Sequence, residues 1–261
     1  MSSVMTRMSF PFTSSTMFRS VARPKTRAVI VNSPSNPTGA VFGRATLRNI
    51  VEEVKGKDIL VVTDDIYDRL VYKGRFENVL TVDPSLHSQV ALVNGVSKTY
   101  AMTGWRIGWT AGPQPLISAM QKLQDNSTSN PASISQKAAL GAMTLPLEAE
   151  VEAMRKVFDE RRQHIVKRLN AIPGVSCFDP GGAFYAFPFV GKLLGKMIPG
   201  QTKPIGTDDA FVAHLLDHHK VAVVPGSAFG APGYLRLSFA IGMDQIDKGV
   251  DRIAEMVKSL Q

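Results

Sequence analysis

Val90-Ala91-Leu92-Val93-Asn94, followed closely by Ser97-Lys98-Thr99-Tyr100-Ala101-Met102-Thr103-Gly104-Trp105-Arg106-Ile107-Gly108, is the stretch on which the fold is decided. The short apolar run reads as a buried strand, and ligands in open α/β sheets gather at the carboxyl ends of strands. Lys98 stands at that end. An ammonium in a partly desolvated, cationic setting loses its proton more readily and can then attack a carbonyl to form a Schiff base. The planar fork of Arg106 suits a phosphate. Amine and cation at this spacing fit a phosphorylated aldehyde.

Three further stretches carry chemistry on a similar frame of strand and turn. Upstream, Ala28-Val29-Ile30-Val31 runs into Asn32-Ser33-Pro34-Ser35-Asn36-Pro37-Thr38-Gly39, where the prolines and the glycine stop the strand and present Asn36 from a rigid turn. Ile59-Leu60-Val61-Val62-Thr63-Asp64-Asp65-Ile66-Tyr67 takes a second apolar strand directly into two acids. A carboxylate there is either a working group or a cap for the next segment, and Asp65 reads as a capping or supporting acid. Near the other end, Tyr234-Leu235-Arg236-Leu237-Ser238-Phe239-Ala240 alternates like a strand and sets Arg236 among apolar neighbours, which is costly unless an anion pairs with it.

Taken in order, these stretches resemble the motifs of class I aminotransferases, closest to the bacterial aspartate and prephenate type. Pro225-Gly226-Ser227-Ala228-Phe229-Gly230 and Gly181-Gly182-Ala183-Phe184-Tyr185 fit the same pattern. The resemblance covers Lys25 to Gln261 and implies pyridoxal 5'-phosphate as cofactor. It implies that Lys98 holds the cofactor and carries the proton, that Asp64 faces the pyridine nitrogen, and that Tyr67 and Asn36 face the phenolic oxygen. Ser97 and Arg106 then bind phosphate, and Arg236 with Asn36 binds the amino acid. The pattern departs in two places: Gly95 stands where some relatives have a phosphate-binding serine, and an insertion runs from Leu193 to Asp208.

The implied fold is α/β, a three-layer α/β/α arrangement around a mostly parallel sheet, followed by a smaller C-terminal α+β domain. Residues 1–24 are expected outside the fold, 25–150 in an incomplete cofactor-binding domain and 151–261 in the small domain. Homologous enzymes carry a long segment before the strand at Ala28, and the chain is expected to lack it, leaving a sheet edge open. Helices are expected near 45–54, 114–124 and 133–170 with a break at Pro146, and strands near 28–32, 59–63, 90–94 and, antiparallel, 107–111.

The formal charge of +8 does not indicate a nucleic-acid partner. Arg7, Arg19, Arg23, Lys25, Arg27, Arg44 and Arg48 fall before the first acid, Glu52, so the remainder is near neutral and no basic stripe with interleaved aromatics appears. No apolar run approaches the roughly 20 residues that span a bilayer. The lone Cys177 excludes an internal disulfide, suits a reducing compartment and reads as a packed strand residue. A cytoplasmic setting is expected, or an organelle matrix if the acid-free start, rich in Ser, Thr and Arg, is a transit peptide. His214 and His218 have helical i, i+4 spacing without the glutamate of a metalloprotease motif, so no metal is expected.

The reaction expected from the resemblance is amino transfer between aspartate or a related amino acid and a 2-oxo acid, by a homodimer. Carbon–sulfur lysis or decarboxylation on the same scaffold stays open, because the motifs fix the cofactor more firmly than its fate. So does a remnant acting only as a folding or dimerisation partner.

Overall fold

The computed structural model describes residues 4–8, 25–200 and 202–261. The chain divides into two compact units: residues 1–35 with 40–155, and residues 36–39 with 156–261.

The first unit is built on a five-stranded sheet: β1 (Val4–Met8), β2 (Thr26–Asn32), β3 (Leu60–Asp64), β4 (Val90–Gly95) and β5 (Gly108–Ala111), in that order across the sheet. The first four run parallel and β5 is antiparallel to β4. Residues 4–8 were expected outside the fold but pair with β2, which satisfies backbone groups that would otherwise lie along an open edge. The rest of that segment, 1–3 and 9–24, lies outside the described residues.

Helix α1 (Arg44–Val54) buries Leu47, Ile50, Val51 and Val54, one face at helical spacing. They share a core with Val29 and Val31 of β2, Val61 of β3 and Val90 of β4. Each such aliphatic side chain contributes about 1.5–3 kcal/mol when fully buried. Beyond β3, Asn78 opens the single turn α2 (Val79–Val82) through a reciprocal cap with Thr81. After β5 come α3 (Gln114–Asp125), α4 (Ser133–Thr144) and α5 (Glu148–Asn170), with the expected break at Pro146.

The second unit takes the C-terminal part of α5, a three-stranded antiparallel sheet ordered β7 (Tyr185–Ala186), β10 (Leu235–Ser238), β9 (Val224–Pro225), and a two-stranded pair of β6 (Ser176–Cys177) with β8 (Pro188–Phe189). Helices α6 (Asp208–His219) and α7 (Met243–Ser259) complete it. β7 and β9 are two-residue pairings, and Ala183 in the left-handed region stands just before β7. The insertion is tied back to the chain terminus: Met197 and Gln261 exchange backbone hydrogen bonds of 2.9 and 3.0 Å. Arg162, 5% exposed, is paired with Asp159 and Asp179, so its buried charge is compensated.

Candidate functional site

In the first unit, the parallel register brings the functional strand ends side by side. Asp64 closes β3 opposite Asn32 of β2 and Val93 of β4. The Asn32 side-chain amide donates to the Asp64 carbonyl at 3.1 Å. Along β3 burial alternates, with Val61 and Thr63 fully buried and Asp64 half-buried. The deeply buried acid is therefore its neighbour Asp65, 3% exposed. Burial is the main force lifting the Asp65 carboxyl to about 7; the Asn78 amide, donating at 2.7 Å, opposes it, and the Asp68 and Asp64 carboxylates add to it. Tyr67 is buried at 3% exposure, in a turn closed by hydrogen bonds from Asp68 N–H to the Asp65 carbonyl and from Leu70 N–H to the Tyr67 carbonyl.

Lys98 lies on the turn after β4 and is half-buried. Burial first, and the charge of Arg106 second, hold its ammonium below the ordinary lysine value, so a larger share of the free amine is present near neutral pH. The stretch from 97 to 106 closes on itself: the Thr103 hydroxyl donates to the Ser97 carbonyl at 3.1 Å, and Arg106 donates to the Thr103 carbonyl at 3.1 Å. Arg106 is exposed and sits in the left-handed backbone region. Gly95 has a steric reason: a Cβ there would meet the Ile107 carbonyl oxygen at 2.8 Å across the β4–β5 ladder. Any side chain, serine included, is excluded from that approach.

In the second unit, Asn36 and Arg236 come together. Arg236 Nη1 donates to Asn36 Oδ1 at 3.0 Å, and the guanidinium lies 4.9 Å from the Tyr185 ring centre and 5.1 Å from that of Phe229. Arg236 is half-buried, its cation held by ring faces and one amide. Asn36 is presented through a cis Asn36–Pro37 bond ahead of Gly39, whose φ of +67° and contact with Pro180 leave no room for a Cβ. Cys177 is buried and its thiol is pushed up to about 12, mainly by burial, which leaves it inert. The rings of His214 and His218 lie 4.3 Å apart between centres, tilted by 31°. No group of three or more His, Cys, Asp or Glu able to hold a metal occurs among the described residues.

Two polar residues that the motifs do not single out take part as well. Asp68 accepts from Asn94 and Thr99, on either side of the turn that carries Lys98. Asn78 both caps α2 and holds Asp65. Only the capping pattern from Asn78 to Thr81 left a local trace in the sequence.

A depressed amine near an exposed guanidinium, beside a strand that ends in a carboxylate, is a donor set suited to an anionic aldehyde with a basic ring. Residues 14–253 match the sequence family described as aminotransferase class I and II, and the chain belongs to that family. It is 48% identical over 233 residues to an aspartate aminotransferase of Streptomyces avermitilis, covering 89% of this chain and 56% of that protein. An aspartate/prephenate aminotransferase of Nitrosomonas europaea is 44% identical over 236 residues, 90% of this chain and 59% of the relative. Among solved structures, the aspartate aminotransferase of Rhizobium meliloti superposes with a TM-score of 0.89 at 40% identity, over 95% of this chain and 62% of that one. The fold is thus the mixed α/β fold of these enzymes, and the chain spans under two thirds of the length of these relatives.

Proposed function

We propose that this chain serves a pyridoxal-phosphate-dependent aminotransferase that moves an amino group between aspartate or a related amino acid and a 2-oxo acid. The observation that carries the reading is the Lys98 amine, depressed by burial and by Arg106, at the end of the strand next to the one that ends in Asp64. When bound, pyridoxal phosphate supplies a protonated pyridine ring that accepts the electron pair left at the substrate's α-carbon. In the first unit, Lys98 Nζ would hold the cofactor and would move the proton at the substrate's α-carbon. The Asp64 carboxylate favours the proton on the ring nitrogen, Tyr67 orients the phenolic oxygen, and Ser97 with Arg106 binds the phosphate.

In the second unit, Arg236 binds the α-carboxylate of the amino acid, and Asn36 serves both the phenolic oxygen and the substrate. Homodimer formation and a cytoplasmic setting belong to the same proposal; no described helix is long and apolar enough to cross a membrane. The test is reductive trapping. With pyridoxal phosphate and borohydride, the pyridoxyl group should be found on Lys98, and aspartate should discharge the cofactor with release of its oxo acid. Labelling at Lys122 or Lys137 instead would remove the basis of the proposal.

A further inference from the structure

The turn that carries Lys98 borders open space. Thr99 and Tyr100 border two pockets, one of about 110 Å³ shared with Asp68, Asn94 and Trp109, and one of about 270 Å³ shared with Ala142, Leu147 and Met154. The backbone of the turn closes through hydrogen bonds from Tyr100 N–H to the Val96 carbonyl and from Ala101 N–H to the Lys98 carbonyl, both 3.3 Å and so weak. Asp68 ties this turn to the acid-bearing turn after β3. Its Oδ2 accepts from Asn94 Nδ2 at 3.0 Å, and its Oδ1 accepts from the buried Thr99 hydroxyl at 3.2 Å. Asp68 is itself fixed by the bond from its N–H to the Asp65 carbonyl.

We propose that Asp68 is a positioning residue: by clamping Asn94 and Thr99 it fixes the turn on which the Lys98 amine is presented beside Arg106. The inference rests on the assignment of Lys98 as the cofactor lysine, and it extends that assignment to a side chain that touches neither cofactor nor substrate. The clamp couples the turn bearing Tyr67 to the turn bearing Lys98, so a change at one is felt at the other. Because the smaller pocket has room for water, loss of the Asp68 carboxylate leaves the donors hydrated and the sheet intact, while the turn gains freedom.

The experiment reads the Lys98 amine directly, without added cofactor. Lysines of the whole chain are labelled competitively with an acylating reagent from neutral to alkaline pH, and the labelling midpoint of Lys98 is compared with that of exposed Lys122 by peptide mass spectrometry. In the parent chain Lys98 should titrate below the ordinary lysine value. Asp68→Ala and the isosteric Thr99→Val should each raise the Lys98 midpoint by about half a unit, as the amine gains water and moves from Arg106. Asp68→Asn and Thr99→Ser should restore it, since an amide can still accept from Asn94 and donate to the hydroxyl. The double variant Asp68→Ala/Thr99→Val should shift no further than the larger single one. An unchanged Lys98 midpoint in both disruptive variants, with lower stability to urea, would make the clamp structural only and overturn the inference. A rise in Asp68→Asn equal to that in Asp68→Ala would overturn it too, because the amide keeps both hydrogen bonds and loss of the negative charge alone would lower the midpoint. If trapping fails while the midpoint shifts as described, the cofactor assignment falls and the clamp stands.

Discussion

Replacing Asp65 by asparagine should remove a pH-dependent weakness from the first unit. The carboxyl rises from its ordinary 3.8 to about 7, chiefly because burial disfavours its charge. That is a shift of about three units, or roughly 4 kcal/mol between the protonated and ionised states of the folded protein. The folded pKa is raised, so the unfolded chain ionises first as pH climbs. The stability held by the protonated form is full below 3.8, declines above it, and is gone once pH passes about 7. Between roughly pH 5 and pH 8 the loss amounts to about 2.5 kcal/mol. In Asp65→Asn the amide stays neutral throughout and can still accept from Asn78. Urea unfolding followed by tryptophan fluorescence suits the test, because Trp105 and Trp109, the two tryptophans of the chain, both lie in the unit that holds Asp65. The stability of Asp65→Asn relative to the parent should grow by about 2.5 kcal/mol from the lower to the higher pH. A difference that is the same at both would refute a carboxyl titrating near neutrality.

Gly95→Ala should lower stability by about 1–3 kcal/mol, because the new Cβ meets a backbone carbonyl that cannot move without opening the β4–β5 ladder; an unchanged urea midpoint would contradict this. Arg106→Ala should weaken retention of pyridoxal phosphate in equilibrium dialysis, whereas Arg236→Ala should leave it bound and raise KM for amino acids about 10- to 100-fold through loss of charged hydrogen bonds. Equal cofactor loss in both would erase that division of roles. Asp64→Asn should keep fold and cofactor but slow exchange of the substrate's α-proton, read by deuterium incorporation, and a parent-like rate would make Asp64 structural.

The strands that lead to Asn36 and Lys98, the strand that ends in Asp64 and the strand that contains Arg236 were legible because each is an apolar run beside a residue type that burial does not explain. Helix α1 was legible for the complementary reason, with Leu47, Ile50, Val51 and Val54 marking one face. What escaped depends on which way a side chain turns after its strand ends. Asp64 and Asp65 are chemically alike and adjacent, and only the alternation along β3 separates the half-buried one from the one that titrates near 7. Asp68, Thr99 and Asn94 are ordinary polar residues far apart in sequence, and nothing local predicts that one carboxylate serves both donors. The two-residue strands of the second unit are too short to show a periodic pattern, and the backbone turns just before β7, as at Ala183.

The stretch that decides the fold also contains two residues whose backbone no sequence rule foresees. Ala101 and Arg106 adopt φ of +53° and +54°, where a side chain costs about 1–2 kcal/mol each. Neither is glycine or asparagine, the residues that visit this region readily, so the conformation has to be imposed from outside. The imposing contacts are specific: the close Gly95–Gly108 pairing at the start of β5, the Thr103 hydroxyl on the Ser97 carbonyl, the Arg106 guanidinium on the Thr103 carbonyl, and Asp68 on Thr99. Ala101 lies shortly after the amine and Arg106 carries the cation, so both groups of the proposed cofactor site are set by a backbone that these bonds hold away from its own preference. Removal of any one of them, as in Thr103→Val, is expected to loosen the turn and raise the Lys98 labelling midpoint, because the depression depends on partial burial and on the charge of Arg106; an unchanged midpoint in Thr103→Val would show that this bond does not set the amine.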